Sequence, residues 1–522
     1  MNRESTIPGV NHKIFRLEDF AEVRERMRKM GERVVQCHGV FDLLHPGHVS
    51  HLQEAKALGD RLVVSVTEDE HVNRGPGRPV FSDELRVSTL AALEVVDYVV
   101  LSEHPTAIPA IEVIQPDVFA KGRKYEALEA DGAPSFASEK AAVERHGGEI
   151  GYLGAVVFSS TKLLNRHFDA MPAPALSWAE GFATRHSRDD IGRVVDAMRD
   201  LHALVVGEVI VDEYIRCLPQ GITAKDHIPS VRRFGSERQW GGAYAIARHL
   251  ANFCGGVTLA GIGGPDDEVV RRETPAGAPE AIAREFVTDP GARTVLKQRY
   301  VIENSKRDEL DKVFSVKEMS DPWDLSAESR ARFRERLSEL IAEHDMVVVA
   351  DYGHGLLDPE TMELLQERSP YLALNCQTNS SNFGFNPITR YRRADTFSLD
   401  QLELQLAYRD RGGDEPALLA RLRSELGAKA AWLTLGSSGA LGVSASGVEP
   451  LAPALTLHVR DTIGAGDAFF SLASLCARMD EPVEVGTFLG EIAGALAANV
   501  TGNVEAVQRA DLLKFASTIL NV

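Results

Sequence analysis

The amino-acid sequence predicts an α/β protein with two doubly wound domains, each built around a parallel sheet. The chain has 522 residues, which is more than one hydrophobic core normally organises, since a domain averages about 150 residues. Segments with helical spacing alternate with short apolar segments on both sides of residue 171. Such alternation is typical of parallel sheets that are covered by helices on both faces.

The first alternating series begins with helical spacing over residues 17–30 and a helix end at Gly31. We interpret residues 1–30 as an N-terminal helical extension and residues 31–168 as the first domain. The predicted elements of this domain are a strand running into a turn at 33–44, a helix at 48–59, a strand at 60–69, a helix at 83–96, and strands at 97–103 and 116–122.

The second series follows a segment rich in proline and small residues around Met171, which indicates a connector. We assign residues 169–202 to a linker with a connecting helix and residues 203–522 to a second, larger domain. Its most apolar predicted strands lie at 203–214, 346–353, 371–377 and 430–436. No unit of about 20–50 residues repeats, which excludes a solenoid.

Charge and cysteine content narrow the function classes. A formal charge of −19 argues against duplex nucleic acid or an anionic membrane as a partner, because both require a basic face. The cysteines are odd in number and show no CxxC spacing, which argues against a zinc site and a disulfide framework. No apolar run approaches the roughly 18 residues that span a bilayer. We expect a cytoplasmic enzyme without a metal site formed by the protein alone.

The first chemical motif is HGVFDLLHPGH at residues 38–48, where a strand gives way to a helix. Backbone N–H groups and the helix dipole favour a phosphate at such a junction. His45 and His48 can face the same anion, and Gly47 lets the backbone approach it. The imidazoles would then stabilise charge on an α-phosphate during nucleotidyl transfer. The alternative is that two histidines three residues apart merely cap a helix.

The second motif is DTIGAGDAF at residues 461–469. Gly464, Ala465 and Gly466 predict a turn whose N–H groups point into one concavity at a helix start, which forms an anion hole. Asp467 would stand beside it as the general base that takes a proton from a sugar hydroxyl. The alternative is a glycine-containing turn before an Ala-rich helix.

The string at 38–48 resembles the signature of the cytidylyltransferase-like nucleotidyltransferase superfamily, which implies a Rossmann-like domain. Further matches follow in the order of that family: EAKALGD at 54–60, RPVFSDELR at 78–86, ALEVVD at 92–97, KGRKY at 121–125 and FSSTKLL at 158–164. The resemblance implies nucleotide or phosphate contacts from Phe41, Gly47, Lys56, Arg86, Lys121, Ser159, Ser160 and Thr161. For the two lysines, a solvated surface position is the alternative.

Within that superfamily, residues 77–100 and KGRKY resemble the adenylyltransferase half of the bifunctional heptose-7-phosphate kinase/heptose-1-phosphate adenylyltransferase family more than they resemble glycerol-phosphate cytidylyltransferases. This resemblance implies ATP as the nucleotide. CTP stays open as the alternative, because the choice of base depends on a few loop contacts that a sequence does not display.

The string DTxGAGD is the signature of ribokinase-like (PfkB) carbohydrate kinases, and the resemblance covers roughly residues 203–522. Other matches are GEVIVDEY at 207–214, WGGAYAIARHLA at 240–251, TVLKQRYV at 294–301, ADYGHGLL at 350–357 and LTLGSSGA at 433–440. The resemblance implies nucleotide contacts at Gly436 and the GAGD turn, and sugar contacts at Asp212, Gly241, Gly242, Lys297 and Arg299. The last two would hold a sugar phosphate; a solvated strand edge is the alternative.

Three positions depart from the kinase pattern. The family usually has an Asn four residues after the first Gly of its GG motif, and this chain has Ala245. The heptose kinases have Asp-Pro-Lys where this chain reads LNCQTNSSNFGFN at 374–386. The usual Asn-x-x-Glu segment is altered to FSLDQLELQLA at 397–407. These departures indicate that the sugar and nucleotide pockets have diverged.

The two resemblances together imply a bifunctional enzyme of sugar-nucleotide synthesis, with the domains in the reverse of the heptose family's order. A kinase would phosphorylate a sugar phosphate, such as heptose 7-phosphate, with Mg²⁺ and ATP, and a transferase would convert the sugar 1-phosphate to a nucleotide sugar. One alternative is a CTP-using transferase that makes a CDP-sugar or CDP-alditol. Another is a degenerate kinase domain that binds a sugar phosphate and regulates the transferase. We expect a homodimer or higher homo-oligomer.

Overall fold

The chain folds into two compact units, Met1–Ala170 and Met171–Leu520. The computed structural model describes residues 11–72, 79–122, 134–153, 173–267, 282–304, 309–319, 325–455 and 459–521.

The first unit is built on a six-stranded sheet in which every neighbouring pair of strands is parallel. Across the sheet the strands are β1 (Ile14–Arg16), β4 (Tyr98–Ser102), β3 (Arg61–Thr67), β2 (Val34–Gly39), β5 (Val118–Gly122) and β6 (Glu149–Leu153). From β2 the order runs outward through β3 and β4 on one side and through β5 and β6 on the other, as in a doubly wound sheet, and β1 is added at the edge beside β4. Ligands of such sheets bind at the carboxyl ends of the strands where the order reverses, which here is between β2 and β5.

The helices of the first unit are α1 (Phe20–Met30), α2 (Pro46–Lys56), α3 (Asp83–Ala91), α4 (Ile108–Ile114) and α5 (Pro134–Arg145). Helix α1 buries Phe20, Val23 and Met27 in a cluster that includes residues of β2, β3 and β4. Strand β1 pairs with β4. Residues 14–30, which the sequence analysis assigned to an extension, therefore form part of the first unit's sheet and core.

The second unit contains a nine-stranded sheet whose first seven strands are parallel to their neighbours. In order across the sheet these are β11 (Ile282–Thr288), β10 (Gly256–Gly263), β7 (His202–Gly207), β14 (Met346–Asp351), β15 (Leu372–Cys376), β16 (Thr396–Asp400) and β17 (Ala430–Thr434), followed by the antiparallel β18 (Ala440–Ser444) and β19 (Gly447–Val448). The order reverses between β7 and β14. The predicted α/β class with two parallel-sheet domains is thus confirmed.

A second, four-stranded sheet belongs to the same unit, and we call it the lid sheet. Its order is β13 (Glu309–Glu318), β12 (Val295–Asn304), β8 (Val209–Ile222) and β9 (Pro229–Gly242). Strands β12 and β8 are parallel, and the other two pairs are antiparallel. In this register Lys297 lies between Asp212 on β8 and Lys317 on β13.

The helices of the second unit are α6 (Ala173–Ala183), α7 (Arg188–Ala197), α8 (Ala243–Ala251), α9 (Ala327–Ala342), α10 (Pro359–Arg368), α11 (Gln401–Tyr408), α12 (Glu415–Glu425), α13 (Ala465–Arg478), α14 (Val483–Ala498) and α15 (Arg509–Ile519). Helix α6 packs Phe182 against Phe488 of α14, with ring centroids 4.4 Å apart. The segment 169–202, assigned to a linker from the sequence, thus contains helices that pack within the second unit. Among the described helices, none has the length and apolar character needed to cross a membrane.

Candidate active sites

The histidine motif of the first unit lies in the loop from β2 to α2, at the carboxyl end of β2. Gly47 is the second residue of α2. Since β2 and β5 are the strands between which the order reverses, this loop stands where a doubly wound sheet binds its ligand. The start of a helix favours an anion, although Pro46 has no N–H and His48 N is already bonded to His45.

His45 and His48 form one stacked pair at the start of α2. Their ring centroids lie 4.0 Å apart, with an interplanar angle of 16°. His45 is the N-cap, and its Nδ1 accepts a hydrogen bond from His48 N at 3.3 Å. Burial lowers the pKa of His45, so its ring is neutral at neutral pH and carries its proton on Nε2. His45 therefore caps the helix with one nitrogen and offers a donor with the other.

Phe41 shapes the same loop. Its backbone has φ 52°, in the left-handed region that bulky residues rarely adopt, and its ring meets His48 edge-on with centroids 5.4 Å apart. Asp42, the next residue, attaches the loop to a distant segment. Its Oδ1 accepts hydrogen bonds from Val80 N at 2.8 Å and Phe81 N at 3.0 Å. These contacts connect the loop to His48 and to residues 80 and 81.

Arg86, which the resemblance placed near the nucleotide, lies buried behind this loop. Its guanidinium donates to Val40 O at 2.6 Å, to Thr67 O at 2.8 Å, to Phe81 O at 3.0 Å and to Asp69 Oδ1 at 2.6 Å. Because these protein oxygens use the guanidinium donors, the arrangement suits Arg86 to positioning the loop rather than to binding a phosphate.

The two lysines predicted to contact phosphate lie in different places. Lys121 lies near the carboxyl end of β5, beside the loop, and pairs with Glu139 at 2.6 Å. Lys56 is the last residue of α2, eight residues from His48, which is about 12 Å along the helix axis. It donates to Asp97 Oδ2 and to Asp60 O, each at 2.6 Å. The structure therefore brings Lys121 to the site and keeps Lys56 away from it. Ser159, Ser160 and Thr161 lie outside the described residues.

In the second unit the GAGD turn opens helix α13. Gly464 is its N-cap with φ 82°, and a Cβ there would overlap Asn503 Oδ1, so the position requires glycine. Ala465 and Gly466 are the first helical residues, at a helix start of the kind that favours an anion, although Ala465 N already donates to Thr462 O at 3.3 Å. Gly436, in the short turn that follows β17, has φ 56°.

Asp467 is buried in the first turn of α13. Its Oδ1 accepts hydrogen bonds from Gln377 Nε2 at 2.9 Å, from Asn375 Nδ2 at 3.0 Å and from the Tyr352 hydroxyl at 3.3 Å. Burial raises the pKa of Asp467 to about 6, although these hydrogen bonds act in the opposite direction. The carboxylate is therefore suited to accept a proton near neutral pH.

Asn375 and Gln377 were missed as site residues by sequence reasoning. They stand at the end of β15, in the segment that replaces the Asp-Pro-Lys of the heptose kinases. The signal was present, because two amides flank Cys376 where a strand ends at the carboxyl edge of a parallel sheet. What the sequence did not show is that both amides turn toward one oxygen of Asp467.

The predicted sugar contacts cluster where the lid sheet meets the GG motif. Asp212 Oδ1 accepts two hydrogen bonds from the Arg299 guanidinium, at 2.7 and 3.1 Å. A Cβ on Gly241 would lie 2.6 Å from Asp212 Oδ2, and a Cβ on Gly242 would lie 2.5 Å from Glu208 O. Both glycines are thus required by close approach. Because Arg299 is paired with Asp212, it is less suited to binding a phosphate than Lys297, the other predicted phosphate contact.

Lys297 is joined at the site by two residues that sequence reasoning missed, Lys317 and His354. Lys297 Nζ lies 5.9 Å from the centroid of the Tyr352 ring. Lys317 is its cross-strand partner and donates to Ser380 Oγ at 2.8 Å. Burial lowers the pKa of His354 to about 4, and the charges of both lysines lower it further. Both ring nitrogens of this buried histidine lack a hydrogen-bond partner among the described residues.

The altered segment at 397–407 keeps an acid. Asp400 and Glu403 form a capping box at the start of α11, so the spacing of the family's Asn-x-x-Glu survives as Asp-x-x-Glu. Glu403 Oε1 also accepts a hydrogen bond from Thr378 N at 2.9 Å. Burial raises the pKa of Glu403 to about 8. The signal that was missed is the three-residue spacing directly after a buried strand.

Asp461 connects the lid sheet to the GAGD turn. Its carboxylate accepts hydrogen bonds from the Tyr214 hydroxyl at 2.9 Å, from Lys312 Nζ at 2.8 Å and from Gly502 N at 3.1 Å. Tyr214 and Lys312 belong to β8 and β13. These hydrogen bonds connect two strands of the lid sheet to the first residue of the DTIGAGDAF motif.

The described residues contain no preformed metal-ligand cluster. In the parts of the chain that are described, no group of three or more His, Cys, Asp or Glu side chains is placed to hold a metal ion. Asp467 and Glu403 are the acidic side chains that would lie near a Mg²⁺ ion bound with nucleotide at the GAGD turn.

Comparison with known proteins assigns a family to each unit. Residues 37–150 match the family model described as cytidylyltransferase-like, and residues 319–508 match that of the pfkB family of carbohydrate kinases. The bifunctional protein HldE of Azotobacter vinelandii is 39% identical over 155 residues, and that of Alcanivorax borkumensis is 41% identical over 145 residues. These matches cover 29% and 27% of this chain, and 31% and 29% of the relatives. The chain thus spans about a third of the length of the curated relatives it matches.

Solved structures with a similar fold include phosphofructokinase-2 of Escherichia coli, with 16% identity and a TM-score of 0.46 over 61% of this chain and 99% of that one. Ribokinase of Arabidopsis thaliana has 15% identity and a TM-score of 0.45, with the same coverage of both chains. The two family matches stand in the order that the sequence motifs predicted. The chain therefore combines a cytidylyltransferase-like domain, which comes first, with a carbohydrate kinase domain of the pfkB family.

Proposed function

We propose that the chain is a bifunctional enzyme that makes a nucleotide sugar in two steps. The second unit phosphorylates the anomeric hydroxyl of a sugar phosphate, with heptose 7-phosphate as the proposed substrate. The first unit then joins the resulting sugar 1-phosphate to a nucleotide. The placement of Asp467 at the GAGD turn is the observation that carries the kinase step, and the stacked His45 and His48 pair carries the transfer step.

In the kinase step, Asp467 takes the proton of the anomeric hydroxyl. The hydroxyl oxygen forms a bond to the γ-phosphorus of ATP, and the bond from that phosphorus to the bridging oxygen breaks, so ADP leaves. The N–H groups at the start of α13 stabilise the charge on the transferred group. Bound Mg²⁺ would neutralise charge on the ATP phosphates. The hydrogen bonds from Asn375, Gln377 and Tyr352 all reach Oδ1, which supports Oδ2 as the proton acceptor.

The pH dependence of the kinase step follows from the burial of Asp467. The general base acts in its ionised form, and that form increases as pH rises through a pKa of about 6. We therefore expect kcat/KM for the sugar to rise with pH, to reach half its maximum near this value and to level off above it. Initial rates of ADP formation at low sugar concentration, from about pH 5 to about pH 8, measure the profile. A flat profile over this range would contradict the assignment.

The cations beside Asp467 support a phosphorylated sugar. Lys297 and Lys317 are cross-strand partners on β12 and β13, and like charges placed directly opposite destabilise a sheet. His354 adds a buried ring without a hydrogen-bond partner among the described residues. An anion bound between the three groups would offset the repulsion and satisfy the imidazole. A phosphate monoester fits this need, and a neutral sugar does not.

We expect Lys297→Met and Lys317→Met each to raise the KM for heptose 7-phosphate by about 10- to 100-fold, since each removes a charged hydrogen-bond donor. The variants should treat the unphosphorylated heptose as the wild type does. Lys429→Met is the matched control, because Lys429 pairs with Asp480 on the surface. The phosphate assignment fails if the variants lose equal activity on the phosphorylated and unphosphorylated sugars.

In the transfer step, an oxygen of the sugar 1-phosphate attacks the α-phosphorus of the nucleoside triphosphate, and pyrophosphate leaves. His45 and His48 would donate hydrogen bonds to the charge that builds on the α-phosphate. The proposed contacts of the other phosphates are Lys121 and Ser159 to Thr161. Phe41 and Arg86 would position the loop. Lys56 would have a structural role only.

We favour ATP as the nucleotide, so the product would be an ADP-sugar; the sequence similarity to the HldE proteins over residues of the first unit supports this choice. A CTP-using transferase is the second candidate. Pyrophosphate release from a sugar 1-phosphate, measured with ATP, CTP and mixtures of the two, separates them. ATP should support the faster release, and CTP should act only as a weak competitor.

A degenerate kinase domain is the third candidate. Two observations favour it: the apolar Ala245 in α8, and the amides Asn375 and Gln377 in the segment that replaces Asp-Pro-Lys. Under this alternative, heptose 7-phosphate would bind the second unit without being phosphorylated and would change the rate of pyrophosphate release. Binding without ADP formation would favour the regulatory domain over the kinase.

A further inference from the structure

Asn503 stands between the two glycine motifs of the second unit. A Cβ on Gly464 would overlap its Oδ1, and a Cβ on Gly241 would lie 3.0 Å from its Nδ2. The same Cβ on Gly241 would lie 2.6 Å from Asp212 Oδ2. The amide of Asn503 therefore lies beside the predicted sugar contacts on one side and the catalytic turn on the other.

The backbone around Asn503 is rigidly held. Asn503 N donates to Gln239 Oε1 at 2.7 Å, and Asn503 O accepts from the Arg248 guanidinium at 2.8 Å. The preceding N–H, that of Gly502, donates to the buried Asp461. These buried side chains fix the segment, so the position of the Asn503 amide is set before a ligand binds, which lowers the entropic cost of binding.

The side-chain amide itself makes no hydrogen bond to the residues that the structure describes, although Asn503 is only 7% exposed. The amide nitrogen and oxygen are not fully buried, so they keep access to solvent, and a ligand can take the place of water there. An amide offers two donor hydrogens and an acceptor oxygen. A sugar hydroxyl, which donates and accepts, complements it.

We propose that Asn503 is a sugar-binding residue whose side-chain amide hydrogen-bonds a hydroxyl next to the one that is phosphorylated. The kinase family usually has an Asn at the position of Ala245 in α8, and Asn503 would supply a side-chain amide from the C-terminal segment instead. Asp212 Oδ2, which lies on the same side of Gly241, would accept a hydrogen bond from that hydroxyl or from the adjacent hydroxyl of the sugar. The inference rests on the proposed kinase function, because it names a contact of that enzyme's sugar substrate.

The test is steady-state kinetics of the full-length chain with heptose 7-phosphate and a set of its monodeoxy analogues. We expect Asn503→Ala to lower kcat/KM for the complete sugar by about 10-fold or more while the KM for ATP changes by less than about twofold. For the one analogue that lacks the contacted hydroxyl, wild type and variant should have equal kcat/KM. That equality is the signature of a direct contact.

Asn252→Ala is the matched control. Asn252 donates to Val507 O at 2.9 Å, so the variant weakens the same C-terminal segment outside the pocket. If Asn503→Ala equals wild type with every sugar, or loses the same factor with every analogue as a merely structural change would, the inference is overturned and the kinase function stands. If the wild type neither phosphorylates nor binds any of these sugars, the proposed function falls and the inference falls with it.

Discussion

Replacing Asp467 by Asn should lower the kcat of sugar phosphorylation by about 10²- to 10⁴-fold, which is the usual contribution of a general base. Asn has the same shape but cannot take the proton of the anomeric hydroxyl. Its amide oxygen can still accept the hydrogen bonds that Asn375 and Gln377 now donate to Oδ1, so the turn should keep its structure. The measurement is ADP formation with saturating sugar and ATP.

Two controls accompany this variant. Asp358→Asn changes another aspartate at a helix start, where it caps α10 through Thr361 N, and should leave phosphorylation unchanged. The Asp467→Asn protein should also release pyrophosphate at the wild-type rate when it is given sugar 1-phosphate, because that step is proposed for the other unit. Phosphorylation within about twofold of wild type would remove Asp467 from the role of base.

Replacing His48 by Ala should slow pyrophosphate release by about 10²- to 10³-fold, as the loss of one preorganised donor to transition-state charge does elsewhere. The variant also removes the ring that stacks on His45 at 4.0 Å and meets Phe41 edge-on at 5.4 Å. The first turn of α2 would keep its N-cap, since His45 is still present to accept from residue 48 N. Release of pyrophosphate from ATP and sugar 1-phosphate measures the effect.

His146→Ala is the matched control for this experiment. His146 follows α5 in the same unit and bonds to Glu112 through its Nε2, so its loss should change stability but not transfer. A His48→Ala protein that transfers at the wild-type rate would leave the motif with a helix-capping function only. A variant that loses sugar phosphorylation as well would show damage beyond the transferase site.

The sequence predicted those features that depend on local pattern. Alternating helical and apolar segments indicated both parallel sheets, and the two glycine-containing motifs marked where a strand or turn leads into a helix. These predictions were reliable because the carboxyl edge of a parallel sheet and the start of a helix follow from chain order alone. His45, His48 and Asp467 all stand at such positions.

What the sequence could not provide was the direction of long side chains. The side chains of Arg86 and Arg299 are long enough to contact either a ligand or another part of the protein. In the structure Arg86 donates to Val40 O, and Arg299 donates to Asp212. Lys56 was assigned by motif, but it stands at the far end of α2. Lys317 lies beside Lys297, and Asn503 lies beside Gly241, although each is distant from its neighbour in the sequence. A local sequence pattern does not predict such contacts.

Phosphorus NMR of the full-length protein with Mg-ATP and heptose 7-phosphate follows both proposed steps in one sample, because each step gives its own signals. Sugar 1-phosphate and ADP should appear first, followed by pyrophosphate and an ADP-sugar. With Asp467→Asn the heptose 7-phosphate should persist, and with His48→Ala the reaction should stop at the 1-phosphate. If wild type leaves the 7-phosphate untouched yet releases pyrophosphate from an added sugar 1-phosphate, the two-step account is contradicted.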